Sequence, residues 1–296
     1  MPESWPTPHA HDFWAETPSK DAMTAVVAWS EGVWGDLDNL RLPLSDRGLQ
    51  LGDGLFETVL VRDGTPQLFN EHLARWHSGA EQLGMATPPT QTQLEALIEE
   101  AVERVDLNRG DGALRLNWSR GSSPTRGLDL PTRTEHRFWF TLQPCTPCFS
   151  PIDVVISRHE RRNDCSLLSR CKSFGYGQSI QARREARSAN ADDALLCNTS
   201  GELCCGSAAN LLVHRGGAWL TPPLASGCLP GIMRAQALKL GRSTEHWLGN
   251  YLKAGEQALL INSLGCRPIN RCDGVNLVTC TEARTLWQAL LEEPLS

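Results

Sequence analysis

The sequence predicts two domains that mix helix and sheet, an α+β or α/β architecture, and three observations carry that expectation. Strand-like apolar runs alternate with amphipathic helical text along most of the chain. A proline-rich break, Pro144-Cys145-Thr146-Pro147-Cys148, ends one strand pattern, and a new one, IDVVIS, begins at Ile152. With 296 residues, 41% hydrophobic and 21% charged, the chain can form one large core or two domains of about 150 residues.

Taken in order, residues 1–22 are polar and aperiodic, with neither the apolar core of a signal peptide nor the arginine-rich character of a transit peptide. They read as a mobile extension. MTAVVAWS (23–30) predicts a first strand. LFETVLVR (55–62), the turn dipeptide Asp63-Gly64 and TPQLF (65–69) predict a hairpin. Asn70 is then expected to cap a helix with Leu73, Trp76, Ala80 and Leu83 on one face, stopped by Gly84. Thr92 is expected to open a second helix, with Glu95 at capping-box spacing and Leu94, Leu97, Ile98, Ala101, Val102 and Val105 turned inward. Strands follow at 113–119 and 136–143.

Beyond the break, Lys172 stands in CKSFGYG, an arginine-rich helix is expected near 178–189, and DALLCN (193–198) reads as a strand. A hairpin is expected from LCCGSAANLLVH and AWLT around Arg215-Gly216-Gly217. A helix is expected to start near Pro230, a favoured first-turn residue. ALLIN (258–262) predicts another strand and TEARTLWQALLEE a closing helix. The expected division is an extension at 1–22, one domain at 23–144, a linker at 145–150 and a second domain at 151–296. Internal repeats and low-complexity tracts are absent from the sequence.

Net charge is −6, which offers no general electrostatic attraction for nucleic acid or an anionic membrane. No run approaches the roughly 18 apolar residues of a membrane span. All eleven cysteines fall between Cys145 and Cys280, an odd and irregular set that reads as free thiols in a reducing compartment, hence the cytoplasm. The one CxxC, Cys145–Cys148, lacks the second ligand pair zinc needs and the strand–helix context of a redox motif, so no metal is expected.

The chain has only four lysines among its 28 basic residues. Lys20 lies in the extension, and Lys239 and Lys253 have polar helical surroundings. Lys172 alone sits among small residues, four positions before Tyr176, where an amine could be held and partly desolvated for covalent carbonyl chemistry. On spacing alone it also reads as a surface lysine. Pro230-Gly231-Ile232-Met233-Arg234 is a glycine-containing helix start, whose free N–H groups and dipole suit a phosphate, although many helices start this way. Arg120 and Arg126, within SRGSSPTRG, suit an anion-binding loop or a solvated one.

In order, DRGLQLGDGLFET (46–58), EHLARW (71–76), SRG…RG (119–127), Lys172, GSAANLLV (206–213), TPPLASGCLPGIMR (221–234) and INSLGCRPI (261–269) resemble the class IV (fold-type IV) pyridoxal-phosphate aminotransferase family. That family includes branched-chain and D-amino-acid aminotransferases and aminodeoxychorismate lyase. The resemblance implies a D-amino-acid-aminotransferase-like fold, with a smaller N-terminal α/β domain, a larger β-rich C-terminal domain and the site in the cleft between them. It implies a homodimer acting on a small molecule, an amino-chorismate or an amino acid. It also implies that Lys172 carries pyridoxal phosphate, that Arg75, Gly231, Ile232, Met233 and Ser263 hold the phosphate, and that Tyr176 lies near the phenolic oxygen. Asn210 would be structural, and Arg126 and Arg120 would face substrate carboxylates.

The chain departs from the family at one position. Members usually read E-G-S-x-x-N, the glutamate pairing with the pyridine nitrogen; here the glutamate position is Cys205. Glu202, three residues earlier, would lie on the opposite face of a regular strand. A mostly neutral thiol should weaken the electron sink while aldimine formation and phosphate binding survive. Because aromatisation drives formation of 4-aminobenzoate, the resemblance and this departure together favour an aminodeoxychorismate lyase of folate synthesis. The alternatives are a transaminase of D- or branched-chain amino acids and a catalytically impaired homologue that binds the cofactor.

Overall fold

The computed structural model describes residues 26–123, 127–130 and 135–292, so the expected extension at 1–22 lies outside the described residues. The first sheet contains β1 (Val27–Ser30), β2 (Val33–Gly35), β3 (Gly54–Arg62), β4 (Thr65–Pro66), β5 (Asp111–Ser119) and β6 (Arg137–Pro144). They run in the order β2-β1-β6-β5-β3-β4, with every neighbouring pair antiparallel. Asp63 (φ 47°) and Gly64 (φ 76°) turn β3 into β4, the positive φ pair that an Asp-Gly hairpin favours. Helix α1 (Arg47–Leu51) precedes β3, while α2 (Phe69–Gln82) and α3 (Gln91–Arg104) pack on the sheet. Leu73, Trp76 and Ala80 of α2 and Leu94, Ile98, Ala101 and Val102 of α3 join Leu55, Val59, Val61, Leu114 and Phe140 in one core.

Both helix starts differ from the sequence expectation. Asn70 lies inside α2, which starts from Leu68 in the left-handed region (φ 49°) without a side-chain cap. Leu68 packs into an apolar cluster shared with the second half of the chain, so burial rather than capping places this start. Helix α3 is capped by Thr90 and Gln93, a complete capping box two residues before the Thr92–Glu95 pair.

The second half contains β7 (Ile152–Arg162), α4 (Gly177–Ser188), β8 (Asp193–Asn198), β9 (Leu203–Gly206), β10 (Asn210–Arg215), β11 (Ala218–Thr221), α5 (Ile232–Lys239), β12 (Thr244–Glu245), β13 (Gln257–Asn262), β14 (Gly265–Cys272), β15 (Val275–Asn276) and α6 (Ala283–Glu292). The path β10-β13-β14-β7-β8-β9 returns to β10, which closes a six-stranded barrel. Ile152, Val154, Leu195, Cys197, Leu203, Leu211, Val213, Ala258, Leu260, Ile269 and Cys272, drawn from all six strands, meet in one cluster. Outside it, α4 packs on Ala194 and Leu196, and α5 and α6 on Leu212, Leu259 and Ile261. Helix α5 starts two residues later than a first-turn Pro230 would require: Gly231 is its N-cap and Ile232 its first residue.

The chain passes from the first sheet to the barrel across the predicted break, where Cys145 N–H donates to Asp111 O (2.8 Å) and Cys148 N–H to Leu264 O (3.1 Å). β3 is buried along most of its length because both of its faces are covered. Leu55, Val59 and Val61 face α2 and α3, whereas Leu60 packs with Leu212, Met233, Leu259 and Ile261. All eleven cysteines are free thiols, nine of them buried. Among the described residues no helix is long and apolar enough to cross a membrane.

Candidate active site

The segment carrying Lys172 is stitched to the edge of β3. Phe56 N–H donates to Lys172 O (2.9 Å) and Phe174 N–H to Gly54 O (3.0 Å). Gly54 is required there, since a Cβ would stand 2.2 Å from the Phe174 ring. Lys172 Nζ donates to Tyr176 Oη (3.2 Å) and lies 4.2 Å from the centre of the Phe56 ring. No carboxylate pairs with it among the described residues. With Leu55, Phe56, Glu57, Arg75, Trp76 and Gly79, it lines a small cleft. Lys172 and Tyr176, four apart in one segment, therefore converge with Arg75 from a distant stretch of sequence.

Arg75 is held by a carboxylate that the sequence reading missed. Its Nε donates to Glu57 Oε1 (2.8 Å) and its Nη2 to Glu57 Oε2, while Nη1 donates to Pro230 O (3.0 Å) at the start of α5. The Glu57 side chain is 1% exposed and that of Arg75 12%. Burial alone would raise the Glu57 pKa, but the Arg75 charge and the His72 hydrogen bond overcome it and bring the value down to about 2. Burial also pushes His72 below the usual histidine range, against the pull of Glu57. A neutral His72 must place its proton on Nδ1, facing the Glu57 carboxylate at 2.7 Å, which leaves Nε2 to accept from the Ser263 hydroxyl at 3.2 Å. The signal for this network was present: one carboxylate in an apolar strand, and His72 and Arg75 three apart on a helix face.

The start of α5 completes this end of the cleft. Gly231 caps the helix without a side chain, so the first-turn N–H groups of Ile232 and Met233 have no intrahelical partner. Asn210 Nδ2 donates to Leu229 O (2.9 Å), and a Cβ on Gly231 would stand 1.8 Å from Asn210 Oδ1. Asn210 thus supports the turn from below. Two free amides, a helix dipole, an arginine and a serine hydroxyl make an anion seat. An amine nucleophile and this seat at the two ends of one site fit a phosphorylated aldehyde cofactor.

Other expected residues fall differently. Cys205 lies on β9, directly across from Asn210. Arg120 does not face a cleft: its guanidinium pairs with Asp53 (2.9 Å) and donates to Leu83 O and Gly84 O, so it ties the end of β5 to α2. The structure shows Arg120 in this tie and not among the residues that line the Lys172 cleft. Arg126 lies outside the described residues. A different arginine lies at the site: the Arg115 guanidinium stands 3.7 Å over the Phe56 ring, opposite no carboxylate among the described residues, with Nε donating to Asn117 Oδ1 (2.9 Å). Arg115 alternates into β5 without a motif around it, so the sequence offered no signal for it.

The amino-transferase class IV family model matches residues 54–272. The provisionally named aminodeoxychorismate lyase of Schizosaccharomyces pombe is 31% identical over 76% of this chain and 90% of that protein. The D-alanine aminotransferase of Bacillus licheniformis is 27% identical over 67% of this chain and 68% of its own length. In structure, a fold IV-transaminase from Curtobacterium pusillum superposes with TM-score 0.76 at 22% identity, covering 90% of this chain and 97% of its own. A provisionally named 4-amino-4-deoxychorismate lyase from Legionella pneumophila superposes with TM-score 0.73 at 25% identity, covering 86% and 95%. The chain belongs to the amino-transferase class IV family. It is a pyridoxal-phosphate-dependent enzyme with the fold-type IV architecture.

Proposed function

We propose that the enzyme is a lyase acting on 4-amino-4-deoxychorismate, releasing pyruvate and 4-aminobenzoate in folate synthesis. The observation that carries this reading is Arg115 stacked on Phe56, whose ring also underlies the Lys172 amine. A cation without a carboxylate partner, resting on an aromatic face beside a nucleophilic amine, suits a flat ring that bears carboxylates. The relative from Schizosaccharomyces pombe supports the same choice.

In this reading Lys172 is the covalent anchor of the cofactor, and its Nζ takes and returns the proton at the substrate carbon. Tyr176, accepting from Nζ, orients the amine. Arg75, Ser263 and the N–H groups of Ile232 and Met233 hold the phosphate, and Glu57 with His72 fixes Arg75 and Ser263 for that task. Pyridoxal phosphate, when bound, supplies a conjugated ring that draws electron density from the substrate carbon. Arg115 holds a substrate carboxylate. A homodimer and a cytoplasmic location belong to the same proposal.

A transaminase of D- or branched-chain amino acids is the second reading, favoured by the relatives named as D-alanine and branched-chain aminotransferases. Purified enzyme incubated with 4-amino-4-deoxychorismate is expected to release pyruvate and 4-aminobenzoate in equal amounts, and Lys172→Ala to release neither. Amino transfer from D-alanine or a branched-chain amino acid without 4-aminobenzoate formation would overturn the lyase in favour of the transaminase.

A further inference from the structure

A bulge in β9 changes which side chains share a face. β8 and β9 pair Leu196 with Cys205 and then Cys197 with Leu203, so Cys204 is an extra residue. Next across are Asn198 and Glu202: Asn198 N–H donates to Glu202 O (2.8 Å), and Glu202 N–H to Asn198 Oδ1 (2.9 Å). Leu196 and Asn198, two apart on β8, share a face, and cross-strand partners share it with them. Cys205 and Glu202 are therefore on the same face, although a separation of three residues puts them on opposite faces of a regular strand. The expectation that Glu202 lies on the opposite face from Cys205 does not hold, because the strand is not regular here.

That face also carries Asn210, the other cross-strand partner of Cys205, whose side chain supports Gly231 at the anion seat. In the Asn198–Glu202 pair two buried polar atoms have no hydrogen-bond partner, Glu202 Oε2 and Asn198 Nδ2, and Asn198 is wholly buried. Such atoms bear an uncompensated desolvation penalty unless a ligand supplies the missing partner. Cys205 cannot take the part of a carboxylate, being a weak hydrogen-bond partner.

We propose that Glu202 is the carboxylate that faces the pyridine nitrogen of the cofactor. A pyridoxal-phosphate site needs a partner there to keep the ring electron-withdrawing. The bulge at Cys204 brings this glutamate round to the face of the family position. The assignment rests on the proposed cofactor seat at Lys172 and α5, and on neither choice of substrate.

Equilibrium dialysis of the full chain against pyridoxal phosphate, read by the visible absorbance of bound cofactor, tests it. Glu202→Gln, a near-isosteric change, is expected to weaken cofactor binding roughly tenfold or more, the scale of a lost charged hydrogen bond. Cys205→Ala is expected to weaken it less. The double variant Glu202→Gln/Cys205→Glu is expected to recover most of the affinity, which a merely structural role for Glu202 would not produce. Unchanged affinity in Glu202→Gln, or no recovery in the double variant, overturns the assignment while leaving the cofactor seat standing. A visible band that survives Lys172→Ala, or is missing from the unaltered chain, overturns the seat and the assignment together.

Discussion

Glu57→Gln removes the charge on which the buried His72–Glu57–Arg75 network depends. The folded-state pKa of Glu57 is lowered from its ordinary 4.5 to about 2. At about 1.4 kcal/mol for each factor of ten in proton affinity, this lowering amounts to about 3–4 kcal/mol of stability. This agrees with the roughly 3–5 kcal/mol lost when one partner of a buried ion pair is removed. Because the folded value lies below the unfolded one, the contribution is complete above about pH 5 and is lost as the pH falls toward 2. His72 is held neutral by burial, so the unfolded state takes up its proton first and a further loss begins as the pH falls through 6.5. Urea unfolding of the cofactor-free chain across this range should show the wild type losing stability in acid. Glu57→Gln should be about 3–4 kcal/mol weaker at pH 7, and its gap to the wild type should narrow as the pH falls from 5 to 2. A variant within about 0.5 kcal/mol of wild type at pH 7, or a gap that does not narrow in acid, would refute the reasoning.

Two further outcomes are expected. Gly231→Ala puts a Cβ where Asn210 Oδ1 lies 1.8 Å away, so the start of α5 must shift. Pyridoxal-phosphate titration should show affinity reduced roughly tenfold or more, with about 1–3 kcal/mol lost in urea unfolding, and unchanged affinity would remove the helix start from the phosphate seat. Arg115→Gln should raise KM for a carboxylate-bearing substrate by roughly tenfold or more while leaving the visible spectrum of bound cofactor unaltered, and an unchanged KM would take Arg115 out of the substrate site.

Much of the fold was legible because local signals and burial agreed. Asp63-Gly64, the inward stripe of α3 and the break after Pro144 each state a local preference that the structure keeps. Where they diverged, packing prevailed: α2 starts from an uncapped Leu68 because that side chain is needed between the two halves. At the site, Lys172 and the α5 start stood out because each has a local chemical signature. Arg120 had a similar signature, but its geometry is a tie between β5 and α2.

The sequence by itself determined the family and the cofactor, and put Lys172 forward as the cofactor's anchor, since these reside in residue types at near-fixed spacings along one chain. Only the tertiary structure decided which residues surround that lysine. Glu57 meets Arg75 because β3 lies under α2, and Arg115 meets Phe56 because β5 runs beside β3. The bulge at Cys204 puts Glu202 on the same face as Cys205. Strand register and the side of a sheet a residue faces are set by long-range pairing, and one extra residue reverses them.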